Sequence, residues 1–226
     1  SSNNLIEWQA DKIKFDTNSD ILDLGCGNGA QAKFLINRIN KNKTLTCVDI
    51  SKKSIASLKK EIKNTNLKTI TVDMDKLESK FKKKYDILNS SYALYYSSNP
   101  KKLLDYCYKL LNKNGIFFIT VPCYPHTMVQ EINKISKVPK NVDESLKFYK
   151  NFLRKYFESR FKRIKIYNFK NTLRFNNQKD FLNLYKSTTY YKKENCNELI
   201  KIFEKKFKKD GYFNLNKNAK LLIGYK

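Results

Sequence analysis

The residues best suited to chemistry are three aspartates spaced around one glycine-rich segment. Asp23-Leu24-Gly25-Cys26-Gly27-Asn28-Gly29 stands between an apolar run, Ile21 to Leu24, and a stretch with Ala32, Leu35, Ile36 and Ile39 at helical spacing. Glycines at a strand-to-helix junction let the backbone turn tightly and approach a ligand at a helix N-terminus. Gly25, Gly27 and Ala30 also satisfy the dinucleotide pattern G-x-G-x-x-G/A. Asp49 ends the next apolar run, 24 residues after Gly25, where a carboxylate accepts from both hydroxyls of a ribose. That placement serves nicotinamide and adenosyl nucleosides alike. Asp73 ends a third run and is placed to accept from an adenine amino group. Asp23 discriminates between the two: two residues before the turn, it repels a pyrophosphate and suits a ligand with a positively charged amino-acid end. The chemistry expected is recognition of a nucleoside that carries a cationic amino acid.

The elements that must position these residues alternate in type over the first half of the chain. Strand patterns over 21–24, 45–48, 69–72, 85–88 and 116–121 are separated by helical ones, including 30–40, a helix behind the potential cap Ser51, and Pro100 to Leu111. Leu5, Ile6, Trp8 and Ile13 suggest a short opening helix. Short apolar strands interleaved with helices indicate a parallel sheet covered on both faces. The second half breaks this rhythm. Helices are expected over 142–157, 178–186 and 197–207, with extended segments at 164–169 and 172–175. Tyr212 to Leu215 and Leu221 to Tyr225, around Asn216-Lys217-Asn218, read as an antiparallel hairpin. The organisation expected is an α/β core over 1–126, a mostly helical insertion over 127–210 above the acceptor site, and a hairpin over 211–226 that completes the sheet.

Over residues 20–122 these segments resemble, in order and spacing, the motifs of the class I S-adenosylmethionine-dependent methyltransferases. Ile21 to Gly29 looks like the first motif, Val48-Asp49-Ile50-Ser51 the second, and Val72 to Leu77 the third. Tyr85 to Tyr96 resembles the fourth strand with its following loop, and Leu110 to Ile119 the entry to strand five. The resemblance implies a doubly wound, mostly parallel, Rossmann-like seven-stranded sheet and S-adenosyl-L-methionine as cofactor. By the same resemblance Asp23, Gly25, Cys26, Gly27, Gly29, Asp49, Ile50, Asp73, Met74 and Asn89 form the cofactor site, with Asn89 beside the methionine part. One departure stands out: many small-molecule members carry a His pair where this chain has Tyr95-Tyr96.

Methyl transfer from a sulfonium is an in-line displacement served by positioning and desolvation. A carboxylate or phosphate acceptor needs no base, whereas an alcohol or ammonium must lose a proton. His126, the single histidine, follows strand five by a few residues and is the candidate base, with a surface loop histidine as the alternative. Tyr92, Tyr95 and Tyr124 are candidates to shape the acceptor pocket, and Tyr92 and Tyr95 join His126 in the candidate catalytic set. Cys123 in Val121-Pro122-Cys123 is expected to pack in its loop rather than act as a nucleophile. Trp8 either closes over the cofactor or anchors the opening helix.

Composition bounds the remaining choices. The 226 residues carry 46 Lys and Arg against 21 Asp and Glu, a net charge of +25. Only five of the basic residues are arginines, and nucleic-acid readers favour the planar guanidinium. This points to a solvated lysine surface with some attraction for anions. The charge is +9 over 1–126 and +16 over 127–226, so Arg154, Arg160 and Arg174 are candidates to hold a substrate carboxylate or phosphate. Five cysteines without a CxxC pair argue against a disulfide framework and against a metal site. No apolar run is long enough to cross a bilayer and no secretory signal is visible, so a cytoplasmic protein is expected. The partner expected is a small anionic molecule. An RNA or tRNA acceptor, a nicotinamide-dependent oxidoreductase and a non-catalytic binding scaffold are the rivals.

Overall fold

The computed structural model describes residues 4–226. Strands β1 (Ile21–Leu24), β2 (Leu45–Asp49), β3 (Leu67–Thr71), β4 (Tyr85–Ser91) and β5 (Leu111–His126) pair in parallel in the order β3-β2-β1-β4-β5. Strand β8 (Phe213–Tyr225) runs antiparallel beside β5, and β6 (Arg163–Phe169) runs antiparallel beside β8 at the far edge. A short β7 (Thr172–Phe175) pairs with the start of β8 outside this seven-strand path. β1 and β2 are buried on both faces, as parallel strands between two helical layers must be. The edge strand β6 instead alternates exposed Arg163 and Lys165 with half-buried Ile164 and Ile166, which discourages further pairing.

One layer holds α1 (Leu5–Lys12), α2 (Ala30–Ile36) and α3 (Lys52–Glu61), which pack Ala32, Leu35 and Leu58 against Ile21, Leu45, Ile87 and Phe118. Ser51 caps α3, its Oγ accepting from the Ser54 N–H at 3.1 Å. The opposite layer holds α4 (Pro100–Leu110), capped by Asn99 and opened by its proline, with Leu103, Leu104 and Cys107 against Leu22, Leu88 and Phe117. A third cluster lies over one end of the sheet. It joins α5 (Thr127–Ile135), α8 (Gln178–Lys186) and α9 (Cys196–Asp210) through Val129, Ile132, Phe181, Tyr185, Leu199, Phe203 and Phe213.

The second half differs from the sequence expectation in three respects. The stretch expected as one helix over 142–157 is α6 (Lys140–Phe148), a π turn over Tyr149–Leu153, and α7 (Arg154–Arg160). The wider turn changes the helical phase along an aromatic run, and Phe148, Tyr156, Phe157 and Phe161 all pack into the layer beside α4. Residues 163–169 are extended, as expected, but belong to the main sheet rather than to a separate insertion. The terminal hairpin is the third correction. Both of its halves are antiparallel, but they belong to one continuous strand, β8. Residues 213–216 pair with β7, while 217–225 pair with β5 and β6. Asn216 and Asn218 are not turn residues here: Asn216 Oδ1 accepts from Thr172 Oγ1 at 2.8 Å, and Asn218 Oδ1 from the Asn171 N–H at 3.2 Å.

The strand order reverses between β1 and β4, and in open α/β sheets the crevice at the carboxyl ends beside such a reversal receives ligands. The glycine loop lies there.

Candidate cofactor and acceptor site

The glycine loop holds its shape through backbone conformations that side chains resist. Gly25 has φ +70°, and a Cβ there would lie 2.2 Å from the Ala93 Cβ, so this turn requires the missing side chain. Gly25 and Cys26 donate to the Val48 carbonyl at 2.8 and 3.0 Å, which ties the loop to β2. Gly27 has φ +54° and meets nothing within 4 Å on its Cβ side. Asp49 staples the crevice together, its Oδ2 accepting from the Gly27 N–H and its Oδ1 from the Ser51 N–H, both at 2.8 Å.

The loop forms part of a cavity of about 960 Å³, lined among others by Asp23, Gly27, Gln31, Asp49, Asp73 and Met74. Asp23 is 1% exposed. Its Oδ1 accepts from Asn89 Nδ2 at 2.6 Å, while its Oδ2 has no partner. Burial pushes this carboxyl up to about 7; the Asn89 bond opposes the shift and the nearby Asp49 charge adds to it. Gln31 Oε1 is a second buried acceptor without a partner. Gln31 Nε2 donates to Gln9 Oε1, and Gln9 Nε2 to Thr120 Oγ1, so α1, α2 and β5 are tied together behind the cavity. Unpaired buried acceptors beside a carboxylate fit an ammonium, which carries only donors. At the other end, Asp73 Oδ1 accepts from the Asp75 N–H at 2.9 Å. Asp75 accepts from the Ser98 N–H at 2.8 Å, from Ser98 Oγ at 2.6 Å and from Ser97 Oγ. Burial raises the Asp75 carboxyl, but these bonds outweigh it and hold the group below its ordinary value.

A second cavity of about 280 Å³ shares Tyr92 and Tyr96 with the first. Tyr95, His126, Tyr190 and Lys217 also line it, and no Asp or Glu is among its described lining residues. Burial pushes the Tyr92 hydroxyl up to about 12 and raises Tyr95 further, so both are neutral donors near pH 7. His126 is 7% exposed, and its Nδ1 caps α5 by accepting from the Val129 N–H in a long contact of 3.5 Å. Burial, and then the Lys217 charge, hold its imidazole at about 4. Held neutral near pH 7, the ring is poorly suited to take a proton from an acceptor. Lys217 is the register partner of His126 across β5 and β8, and desolvation lowers its ammonium.

The family model described as a methyltransferase domain matches residues 15–219. The chain belongs to the class I S-adenosylmethionine-dependent methyltransferases. Among solved structures, the fold of this methyltransferase superposes on a Bacillus halodurans C-125 protein designated a methyltransferase. That match has TM-score 0.70 and 15% identity over 99% of both chains. Coclaurine N-methyltransferase bound to N-methylheliamine and SAH matches 98% of this chain and 72% of its own, at TM-score 0.55 and 15% identity. In sequence, the chain is 38% identical over 71 residues to ribosomal RNA small subunit methyltransferase A of Mesomycoplasma hyopneumoniae strain J, which is 31% of this chain and 26% of that one. The chain covers less than half the length of the curated relatives it matches.

Eight of the ten residues expected at the methyltransferase's cofactor site line the larger cavity: Asp23, Gly25, Cys26, Gly27, Asp49, Ile50, Asp73 and Met74. Gly29 and Asn89 lie behind it. Gly29, at φ +91°, lets α3 approach, since a Cβ there would lie 2.2 Å from Leu58 Cδ1. Asn89 is wholly buried and holds Asp23. The candidate catalytic set, Tyr92, Tyr95 and His126, meets in the smaller cavity. Tyr124 does not join them, because its hydroxyl donates to Asp143 Oδ1 at 2.8 Å. Trp8 anchors its helix, its ring centroid 5.1 Å from that of Phe169, while Asn4, Leu5 and Ile6 of the same segment line the larger cavity. The three arginines considered for anion binding are engaged elsewhere: Arg154 with Glu158, Arg160 with Asp105, and Arg174 over the Tyr212 ring. Sequence reasoning missed Gln9, Gln31, Asp75 and Lys217. A polar Gln9 among apolar neighbours of the opening helix was an available signal; Lys217 had none.

Proposed function

We propose that the chain moves a methyl group from S-adenosyl-L-methionine to a small molecule carrying a carboxylate or phosphate, with O-methylation the favoured reaction. The observation that carries the cofactor part of this reading is Asp23, a buried carboxylate with one unpaired oxygen beside a glycine turn. Asp23 and Gln31 hold the amino-acid end of the cofactor. Asp49 accepts from the ribose hydroxyls, and Asp73 and Met74 hold the adenine. Bound there, the cofactor would supply an electrophilic methyl for the acceptor oxygen, with S-adenosylhomocysteine as the leaving group. The residues of this chain position the acceptor and exclude water, since His126 and the tyrosines are neutral and poorly suited to remove a proton. An acceptor that is already an anion suits such a site.

Mass-spectrometric detection of S-adenosylhomocysteine across paired acceptors, each acid beside its neutral amide, tests the reading. Anionic members are expected to turn over faster; equal rates for acids and amides would sink the preference.

A cytoplasmic setting is part of the proposal. It rests on the cysteine usage, and the five cysteines are free. No helix among the described residues is long and apolar enough to cross a membrane. One rival has an observation behind it, an RNA acceptor, motivated by the ribosomal RNA methyltransferase relative and the net charge of +25. Binding to RNA with a steep salt slope would favour it. Against it, the end of β4 and the start of its following loop read Asn89-Ser90-Ser91-Tyr92, without the proline pair of base-clamping amino methyltransferases.

A further inference from the structure

We propose that the smaller cavity is the acceptor subsite and that the Lys217 ammonium is its anion anchor, selecting a small acceptor with a flat apolar body and one carboxylate or phosphate. The inference rests on the methyltransferase reading of the adjoining cavity and adds to it a place and a specificity-determining residue.

Four observations converge. The cavity adjoins the cofactor cavity through Tyr92 and Tyr96, so a molecule in it lies beside the bound cofactor. Its volume, about 280 Å³, is at the lower limit for ligand pockets and admits a single-ring molecule. Its walls combine Tyr92, Tyr95 and Tyr190 with Val129 and Leu146, which suits a flat apolar body. Its charge is one-sided: Lys217 lines it, and no carboxylate among the described residues does or pairs with that lysine.

A half-buried ammonium without a counter-charge is costly, and the cost falls when an anion occupies the space beside it. The strand geometry explains why this lysine is held inward. Asn216-Lys217-Asn218 lies mid-strand where β8 passes from the core sheet to β7, and the Lys217 N–H donates to the Asn171 carbonyl at 2.8 Å. Across the strands the neutral His126 ring lines the same cavity. The desolvation that lowers the Lys217 ammonium agrees with this placement.

His126 is the single histidine, so its imidazole proton signal reports on this cavity alone. The test titrates benzoate, phenyl phosphate and neutral benzamide into the protein saturated with S-adenosylhomocysteine, and follows that signal by NMR. Saturable shifts are expected with at least one of the two anions, and the tighter binder names the anionic group. Lys217→Met is expected to weaken that anion by about 10- to 100-fold, as loss of a charge-assisted hydrogen bond does, and Lys217→Arg to recover most of it. Benzamide binding as tightly as the anions, an unchanged anion affinity in Lys217→Met, or no saturable shift with either anion would overturn the proposal. S-adenosylhomocysteine titrated into the same samples separates the failures. Its binding to Lys217→Met shows that the variant is folded, and its failure to bind the wild type would instead sink the methyltransferase reading.

Discussion

Asp23→Asn probes the site through a group whose charge the fold itself opposes. The carboxyl is pushed up to about 7 from an ordinary 3.8, chiefly by burial. A difference of about 3 pH units corresponds to about 4 kcal/mol at about 1.4 kcal/mol per unit. Because the folded value is raised, the stabilisation from this group is complete below about pH 4 and is lost as pH rises through about 7. Urea unfolding of the cofactor-free protein is therefore expected to show Asp23→Asn gaining about 4 kcal/mol on the wild type between pH 4 and pH 7.5. Binding runs the other way. An ammonium needs the ionised carboxylate, so S-adenosylhomocysteine affinity rises nearly 10-fold per unit from pH 5 to pH 7 and then levels. At pH 6 binding releases about 0.9 proton, the fraction of Asp23 still protonated in the free protein. Calorimetry in two buffers of different ionisation enthalpy reads that number directly. Asp23→Asn removes the proton release and weakens binding by at least about 30-fold at pH 8, as truncation of a buried charge pair does. Affinity independent of pH, or proton release retained in the variant, would refute the assignment of Asp23 as the ammonium's partner.

Further outcomes follow from the same geometry. Gly25→Ala places a side chain 2.2 Å from the Ala93 Cβ at φ +70°, so calorimetry should find no S-adenosylhomocysteine binding, and thermal melting should find a loss beyond the about 1–2 kcal/mol of the backbone strain. Gly224→Ala meets the Phe161 ring at 2.5 Å, far from the cavity, and is expected to cost about 1–3 kcal/mol in melts while the affinity for S-adenosylhomocysteine is unchanged. The His126 imidazole, followed by NMR, is expected to titrate near 4 rather than 6.5; its contribution to stability is present above 6.5 and is lost as pH falls through about 4. Lys217→Met should raise that midpoint, since the Lys217 charge is the second cause of the depression.

What was legible in the sequence was set by neighbours along the chain. Strand β1, strand β7 and helix α8 run over the residues that their local patterns indicated, and Asp23, Asp49 and Asp73 meet at one cavity because each ends or nearly ends a strand of the same parallel sheet. Helix α5 escaped notice because its cap is His126 rather than Ser, Thr, Asp or Asn, and because it begins two residues after a proline. The π turn at Tyr149–Leu153 has no local signature; it answers to the aromatic cluster beneath it. Lys217 was illegible for a clearer reason. Asn216-Lys217-Asn218 has turn composition, yet its asparagines bond to 171 and 172, and long-range pairing keeps the strand extended and draws the lysine inward. Gln31 is held by Gln9 of another helix, which accepts from its amide, while its own acceptor oxygen has no partner.

The central claim is that the crevice between β1 and β4 binds S-adenosylmethionine through Asp23 and Asp49. Calorimetric titration of S-adenosylhomocysteine at pH 8 into the wild type and Asp49→Ala, with NAD and NADP as parallel ligands, tests it most directly. Micromolar binding of S-adenosylhomocysteine to the wild type, lost in Asp49→Ala, with no heat from either dinucleotide, is the predicted result. Binding of NAD or NADP in its place, or S-adenosylhomocysteine affinity indifferent to Asp49, would contradict the account.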